Sequence, residues 1–410
     1  MSIGNRPVWR IPKRLTVGAV EQLATVGRDA PEVEIHLSGD GTSADPLASA
    51  KLQATLCQLQ RNSTACKLTV PPNTLAGERA ERAFAEPGHS AGPVTPAEKC
   101  LASSLEGLVL GQLCELEPTG QLDSSALRIL QMNELRKRKF SYGRGRSQTI
   151  AIPTSADAGD RSRTRERVNR IDTRIADIFS HVQNRRSDIS ERWWFEFVSN
   201  FAFEATENTY RHGRFDLEGD LIPSVRLLTV MRHNVDELSK RTSANQSNRQ
   251  MVGIGQYLDR LRRHYSMQKR NLPAAKLVEM TVSDGGLGIA ARMAGTCSIY
   301  HEADLGSEVK FLQAALEPGG TSRSSADIGA GQGTKKMLRQ CHRLRGMFTL
   351  STGRLEISRT FLDEDGRPGH HDFENTQDSA FDVEPFMTQT SLSAGASWTL
   401  IFPVDDDLVS

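Results

Sequence analysis

Three short segments hold residue types that could act together on one ligand. In "FEATENTYRHG", Glu204, Asn208 and His212 recur at steps of four. At about 100° per residue they share a helical arc with Phe197, Val198, Phe201, Ala202 and Ala205. The opposite side carries Ser199, Asn200, Thr206, Glu207, Tyr210 and Arg211. The trio therefore points toward the core side, where an unpaired polar group is costly. Either protein groups satisfy it, with Glu204 on a buried arginine, Asn208 on a backbone turn and His212 at the helix end, or it faces a ligand.

Two further segments bear on that choice. After the strand-like "KLVEMTV" come Asp284, Gly285, Gly286, Leu287, Gly288 and Ile289. A carboxylate leaving a strand into glycines stands where backbone can approach a ligand closely, although Asp-Gly is also an ordinary turn. Later, "DIGAGQGTKKMLRQCHRL" sets Gly329, Gly331, Gly333 and Thr334 ahead of a helix. Glycines there present N–H groups to an anion, and the helix dipole favours phosphate; a flexible loop with a capped helix is the plainer alternative. A Walker loop is excluded, because Lys335 follows Thr334 and Lys336 stands where Ser or Thr is needed. A dinucleotide fingerprint is excluded too, since these glycines run G-x-G-x-G and come late.

The elements that must position these segments read as alternating strand and helix. "VWRIPKRLTV", "EVEIHLSG" and "ACKLTVPP" are strand-like; "GAVEQLATVGRD" and "PLASAKLQATLCQLQRN" are helical. A loose Gly/Pro/Glu loop lies near 72–97, then a helix near "AEKCLASSLEGLVLGQL", then a hairpin around Gly143, Arg144 and Gly145. Residues 1–153 form one expected α/β domain and 154–162 a linker. A second domain, 163–405, has a helical insertion at 240–272. Its strands are "SVRLLTVMRH", "AKLVEMTVSD", "GMFTLST", "RLEISRTF" and "SWTLIFPV", with a long loop over 363–392.

Composition sets the outer limits. A chain of 410 residues is long for one core, and a formal net charge of +1 argues for no nucleic-acid partner. Six cysteines without a C-x-x-C pair support neither a zinc ribbon nor a thioredoxin-like site. The start "MSIGNRPVWRIPKR" lacks a signal-peptide core, and no apolar run is long enough to cross a bilayer. A cytoplasmic, reduced location is expected, with no membrane partner.

In this order the three segments resemble the GHKL superfamily, which includes gyrase, heat-shock chaperone ATPases, histidine kinases and MutL. Glu204 and Asn208 match its E-x-x-x-N helix; Asp284, Gly286 and Gly288 match D-x-G-x-G; Gly329, Gly331 and Gly333 match G-x-G-x-G. His212-Gly213 is similar to the anti-sigma-factor serine kinases, and "GASWTLIFP" to the family's closing strand, with Ala396 where Thr is usual. The resemblance covers about 160–405. It implies a Bergerat fold, a mixed sheet with helices on one face. The stretch "IHLSGDGTSADPLASAKL" is faintly similar to STAS domains, which would make Ser43 a phosphoacceptor candidate.

The resemblance also implies roles. Glu204 would be the general base, and Asn208 would hold Mg²⁺ beside the phosphates of ATP. Asp284 would accept a hydrogen bond from the adenine amino group. Gly286, Gly288 and Ile289 would line the nucleotide; Gly329, Gly331, Gly333 and Thr334 would shape the phosphate side. Residues 290–328 would form a lid, with Arg323 and Lys335 as phosphate contacts or ordinary surface charges. His181 and the pair His370-His371 read as helical and loop histidines. Expected functions are ATP hydrolysis driving a regulatory switch, protein serine phosphorylation, or ATP binding without turnover, with a protein or homodimer partner.

Overall fold

The computed structural model describes residues 115–117, 333–368 and 387–404, and most of 7–69, 141–151, 175–179 and 192–317. The chain is α/β. Its N-terminal part runs β1 (Val8–Arg10), β2 (Arg14–Leu15), α1 (Val17–Gly27), β3 (Glu32–His36), β4 (Ser43–Ala44), α2 (Pro46–Arg61), β5 (Ala65–Thr69) and β6 (Glu115–Glu117). Strands β1, β3, β5 and β6 pair in parallel in the order β1-β3-β5-β6. Parallel neighbours need a crossover, and α1 and α2 supply two of them. Strand β3 alternates as its sequence demands, with Val33 and Ile35 buried between half-buried neighbours.

The rest of the described chain builds a second sheet and its helices. In order come β7 (Ser141–Tyr142), β8 (Gly145–Ala151), α3 (Trp193–His212), β9 (Arg226–His233), α4 (Val235–Ala244), α5 (Arg249–Met267) and β10 (Leu277–Asp284). Then follow α6 (Ile289–Ala294), a 3-10 turn (Cys297–His301), α7 (Gly306–Leu316), α8 (Gly333–Arg343), β11 (Met347–Thr360) and β12 (Met387–Pro403). The sheet order is β11-β12-β10-β9-β8-β7.

Four features of the strands differ from the sequence reading. Every pairing described in this sheet is antiparallel, where a mixed sheet was expected. The hairpin around 143–145 is present, but β8 hydrogen-bonds along β9, from Arg146↔Arg232 to Ala151↔Leu227, so it joins this sheet and not the N-terminal one. "GMFTLST" and "RLEISRTF" form the single strand β11: Gly353 (φ +57) sits in a bulge that shifts the register and lets pairing resume. Strand β12 begins at Met387, inside the stretch read as loop. The expected linker, the loop near 72–97 and the helix near 97–113 lie outside the described residues.

Alternation divides the sheet into two chemically different faces. Leu228, Val230, Val278, Met280, Val282, Phe348, Leu350, Trp398, Leu400 and Phe402 form the main core with α3, α7 and α8. Helix α3 contributes Trp194, Val198, Phe201, Ala202 and Ala205, a stripe at helical spacing. Between those strand positions, facing the other way, lie Thr229, Thr281, Ser283, Thr349, Ser351, Ser397 and Thr399, all buried. Helices α1 and α2 pack on this second face. At its far end Leu277, Met347 and Ile401 meet Tyr257, Leu258, Leu261 and Tyr265 of α5. Helices thus lie on both faces of the sheet, where the resemblance implied helices on one face only. The described part of the 240–272 insertion is largely helical, within α4 and α5, and α5 serves to close the sheet. Among the described residues no helix is long and apolar enough to cross a membrane.

One ion pair fixes α2 to the sheet. Lys51 Nζ lies 3.5 Å from Glu356 Oε2, with both side chains almost fully buried. Burial pushes the Glu356 carboxyl up, and the Lys51 ammonium opposes it. Removing one partner leaves a stranded buried charge. Lys51→Met should lower the free energy of unfolding in urea by about 3 kcal/mol, and the double variant Lys51→Met/Glu356→Leu should recover most of that. Equal stability of the single variant and the wild type would mean that α2 is not seated on β11.

Candidate functional site

Helix α3 connects two clusters. At the first, Glu204 and Asn208 meet the start of α8. A Cβ built on Gly333 would lie 3.1 Å from Glu204 Oε2 and 3.6 Å from Asn208 Oδ1, so the third glycine of the late motif rests against both side chains. Lys336, on the first turn of α8, reaches Glu204 Oε1 at 2.8 Å. The Glu204 side chain is 16% exposed, and its protein partner is this exposed lysine, not a buried arginine. Thr334 and Lys335 sit half-buried on the same turn. Lys335 makes no ion pair among the described residues.

The second cluster lies where α3 ends. Gly213 caps the helix, its N–H on Thr209 O at 2.9 Å. A Cβ there would fall 2.6 Å from Cβ and Cγ of Asp284, and one on Gly286 would fall 2.7 Å from Gly213 Cα. Real side chains do not approach that closely, so both positions must be bare for β10 to end against α3. Asp284 is 5% exposed. Its Oδ1 accepts hydrogen bonds from Gly286 N at 2.9 Å and Ala396 N at 3.3 Å.

Burial pushes the Asp284 carboxyl up to about 6, against the pull of those two N–H groups and of the Arg226 and Arg292 charges. Arg226 is itself pushed down to about 10, by burial and by Arg214. Both guanidiniums lie over the Tyr210 ring, Arg214 at 4.3 Å and Arg226 at 5.2 Å. Tyr210, placed on the outer side by the helical wheel, is buried for that reason. Arg292, on α6, donates to His212 O at 2.9 Å, Asp216 O at 2.6 Å and Phe215 O, tying the chain after α3 to the glycine loop.

The loop itself is fastened at several points. Gly288 (φ +86) opens α6 in a conformation that few other residues adopt. Ile289 N donates to Thr352 Oγ1 at 2.9 Å, and the Tyr300 hydroxyl donates to Leu287 O at 2.9 Å. The described residues of 290–316, the first part of the expected lid, are anchored: Ala290, Ala291, Ile299 and Tyr300 form a cluster with Leu287, and Leu312 and Leu316 enter the main core.

The structure thus brings together Glu204, Asn208, Gly333 and Thr334 at one end, and Asp284, Gly286, Gly288 and Ile289 at the other. Glu204 and Gly213 are nine residues apart, about 13 Å along α3 at 1.5 Å per residue. Gly329, Gly331, Arg323, His181, His370 and His371 lie outside the described residues. His212 is half-buried beside the second cluster. Lys336, Arg226 and Arg292 went unnoticed in the sequence as site residues; Lys336 adjoins the glycine motif and could have been found, whereas the arginines have no local signature. Among the described residues no three His, Cys, Asp or Glu side chains gather to hold a metal alone. Asn208 offers a neutral amide oxygen, a ligand of the kind that Mg²⁺ accepts beside phosphate and water oxygens.

The burial of Asp284 makes stability depend on pH. An ordinary aspartate titrates near 3.8, so the folded form holds this proton more tightly than the unfolded one. That contribution is full below pH 3.8 and is lost as pH rises through about 6. Asp284→Asn should therefore unfold at higher urea than wild type at pH 7, by at most about 3 kcal/mol at 1.4 kcal/mol per unit. The gap should close below pH 4. A variant less stable than wild type at pH 7 would show that Arg226 and Arg292 outweigh burial.

Comparison with protein-family models, with curated proteins and with solved structures finds no match. A functional reading of this chain therefore rests on the geometry of α3 and the two clusters it joins.

Proposed function

We propose that the chain binds Mg-ATP along α3, as a GHKL-type protein with a Bergerat-like pocket, and hydrolyses it to drive a regulatory switch. The observation that carries this is the pairing of unlike clusters along the C-terminal half of one helix. Glu204 and Asn208 face the N-terminus of α8, an anion-attracting feature; a buried carboxylate stands at the other end, against bare glycines. A phosphorylated ligand with a hydrogen-bond-donating base matches that asymmetry.

Among the described residues both backbone hydrogen bonds to Asp284 fall on Oδ1, so Oδ2 is the oxygen that would accept a hydrogen bond from the adenine amino group. Guanine presents an acceptor at that position, and a carboxylate cannot donate to it. Gly213 and Gly286, packed against Asp284 and each other, would fix the position of that carboxylate for the ring. At the phosphate end, N–H groups of the first turn of α8 would receive the terminal phosphates. A bound magnesium ion would neutralise phosphate charge, with the Asn208 amide oxygen as its protein ligand.

Lys336 gives Glu204 a resting partner. With phosphate alongside, the ammonium has a second anion to serve, and the Glu204 carboxylate can accept a proton from water. The water oxygen forms its bond to the γ-phosphorus, the bond to the bridging oxygen breaks, and that oxygen leaves on ADP with the electron pair. The net charge of the pocket is unchanged by this exchange, because the negative charge that Glu204 loses on protonation appears on the phosphate products.

Titration calorimetry and phosphate release test the reading. Wild type should bind Mg-ATP in preference to Mg-GTP, and Asp284→Asn should abolish that binding. Glu204→Ala should bind ATP within a few-fold of wild type and release phosphate at least about 100-fold more slowly. Transfer of labelled γ-phosphate to a protein hydroxyl in place of release would favour serine phosphorylation. Binding with neither outcome would leave an ATP-sensing module. Unchanged ATP affinity in Asp284→Asn would remove the pocket altogether.

A further inference from the structure

The base end of the site is held by a residue from the N-terminal sheet region. Arg61 is the last residue of α2. Its Nη1 donates to Gly285 O at 2.6 Å and its Nη2 to Gly286 O at 3.0 Å, a two-pronged grip on successive carbonyls. The same turn is held from inside, where Asp284 Oδ1 accepts the Gly286 N–H at 2.9 Å. The turn therefore lies between a carboxylate and a guanidinium, the second of which belongs to another layer of the molecule.

Glycines at 285, 286 and 288 give this turn no side chains of its own to stiffen it. Glycine loses more backbone freedom on ordering than any other residue, so an external clamp has much to contribute. Arg61 is well placed to be one. Its helix lies on β10 and β12, and Lys51 fixes that helix to β11 two turns or more before the clamp. Its charge also reaches the neighbouring elements: burial pushes Cys297 and Tyr300 up, and Arg61 pulls both back. Tyr300 in turn holds Leu287 O. A planar fork suits two adjacent carbonyls; a lysine ammonium can serve them only as a point donor.

We propose that Arg61 is a positioning residue for base recognition, through which docking of α2 and nucleotide binding favour each other. This rests on the ATP reading above. By linkage the coupling is reciprocal: whatever loosens α2 weakens the ligand, and ligand tightens α2.

The test uses the full chain with Arg61→Gln and Arg61→Lys, beside Asp284→Asn. Without nucleotide, hydrogen exchange at the amides of 285–288 should quicken at least about tenfold in Arg61→Gln, with Arg61→Lys between it and wild type; the amides of α3 should not change. With nucleotide, Arg61→Gln should bind Mg-ATP about tenfold more weakly and narrow its preference for ATP over GTP, again with partial rescue by lysine. A purely structural role would lower the melting temperature and leave that preference unchanged. Unaltered exchange at 285–288 overturns the clamp. Quickened exchange with an unchanged ATP-to-GTP preference, in a protein where Asp284→Asn abolishes ATP binding, overturns the role in recognition. Wild type that binds neither nucleotide overturns the ATP reading first, and the assignment to Arg61 with it.

Discussion

A carboxylate kept from water at the end of a strand is the constraint around which this site is organised. Asp284 can occupy its place only because Gly213 has no side chain, and Gly286 must be bare so that the turn can fold back onto the helix end. Its Oδ1 is saturated by two backbone N–H groups, and Arg226 and Arg292 stand near enough to temper the burial. The arginines then need homes of their own, which the Tyr210 ring and the carbonyls after α3 provide. A single unfavourable burial thus dictates residues on α3, β9, α6 and β12. Functional sites are where such strain against stability is usually kept.

Helix α3 acts as the spacer of the site. Its inner stripe is fixed by the aromatic core, including Phe201 on Phe348 and Trp194 on Phe402. Rotation or sliding of the helix would disturb that packing, so the two ends keep their separation. The flank of the same helix carries the polar groups, half-buried between core and solvent. Residues of α8 approach this flank at Gly333, where even one methyl group would crowd Glu204.

Much of this arrangement could be read from spacing. The steps of four in α3, the Asp-Gly exit from β10 and the glycine before α8 each report a local requirement, and local requirements leave local marks. What escaped was non-local. The wheel assigned Tyr210 to the outside because it assumes one buried arc; two arginines from beyond the helix cover the other. The hairpin strand β8 reads alike for either sheet, and only its pairing with β9 decides. Gly353 reads as a break between two strands and is a bulge within one. Serine and threonine at alternate strand positions suggest a wet face, yet helices cover it. Arg61 is 224 residues from the carbonyl it grips, and nothing around it in the chain announces that.

The hydroxyl-lined face of the large sheet sets the character of the seam beneath α1 and α2. Rows of Ser and Thr, such as Thr281 and Thr399 bonded to each other at 2.9 Å, lose little on meeting water. On the sheet's side, then, this seam is held by directional bonds between hydroxyls as well as by burial, and the Lys51–Glu356 pair pins it from above.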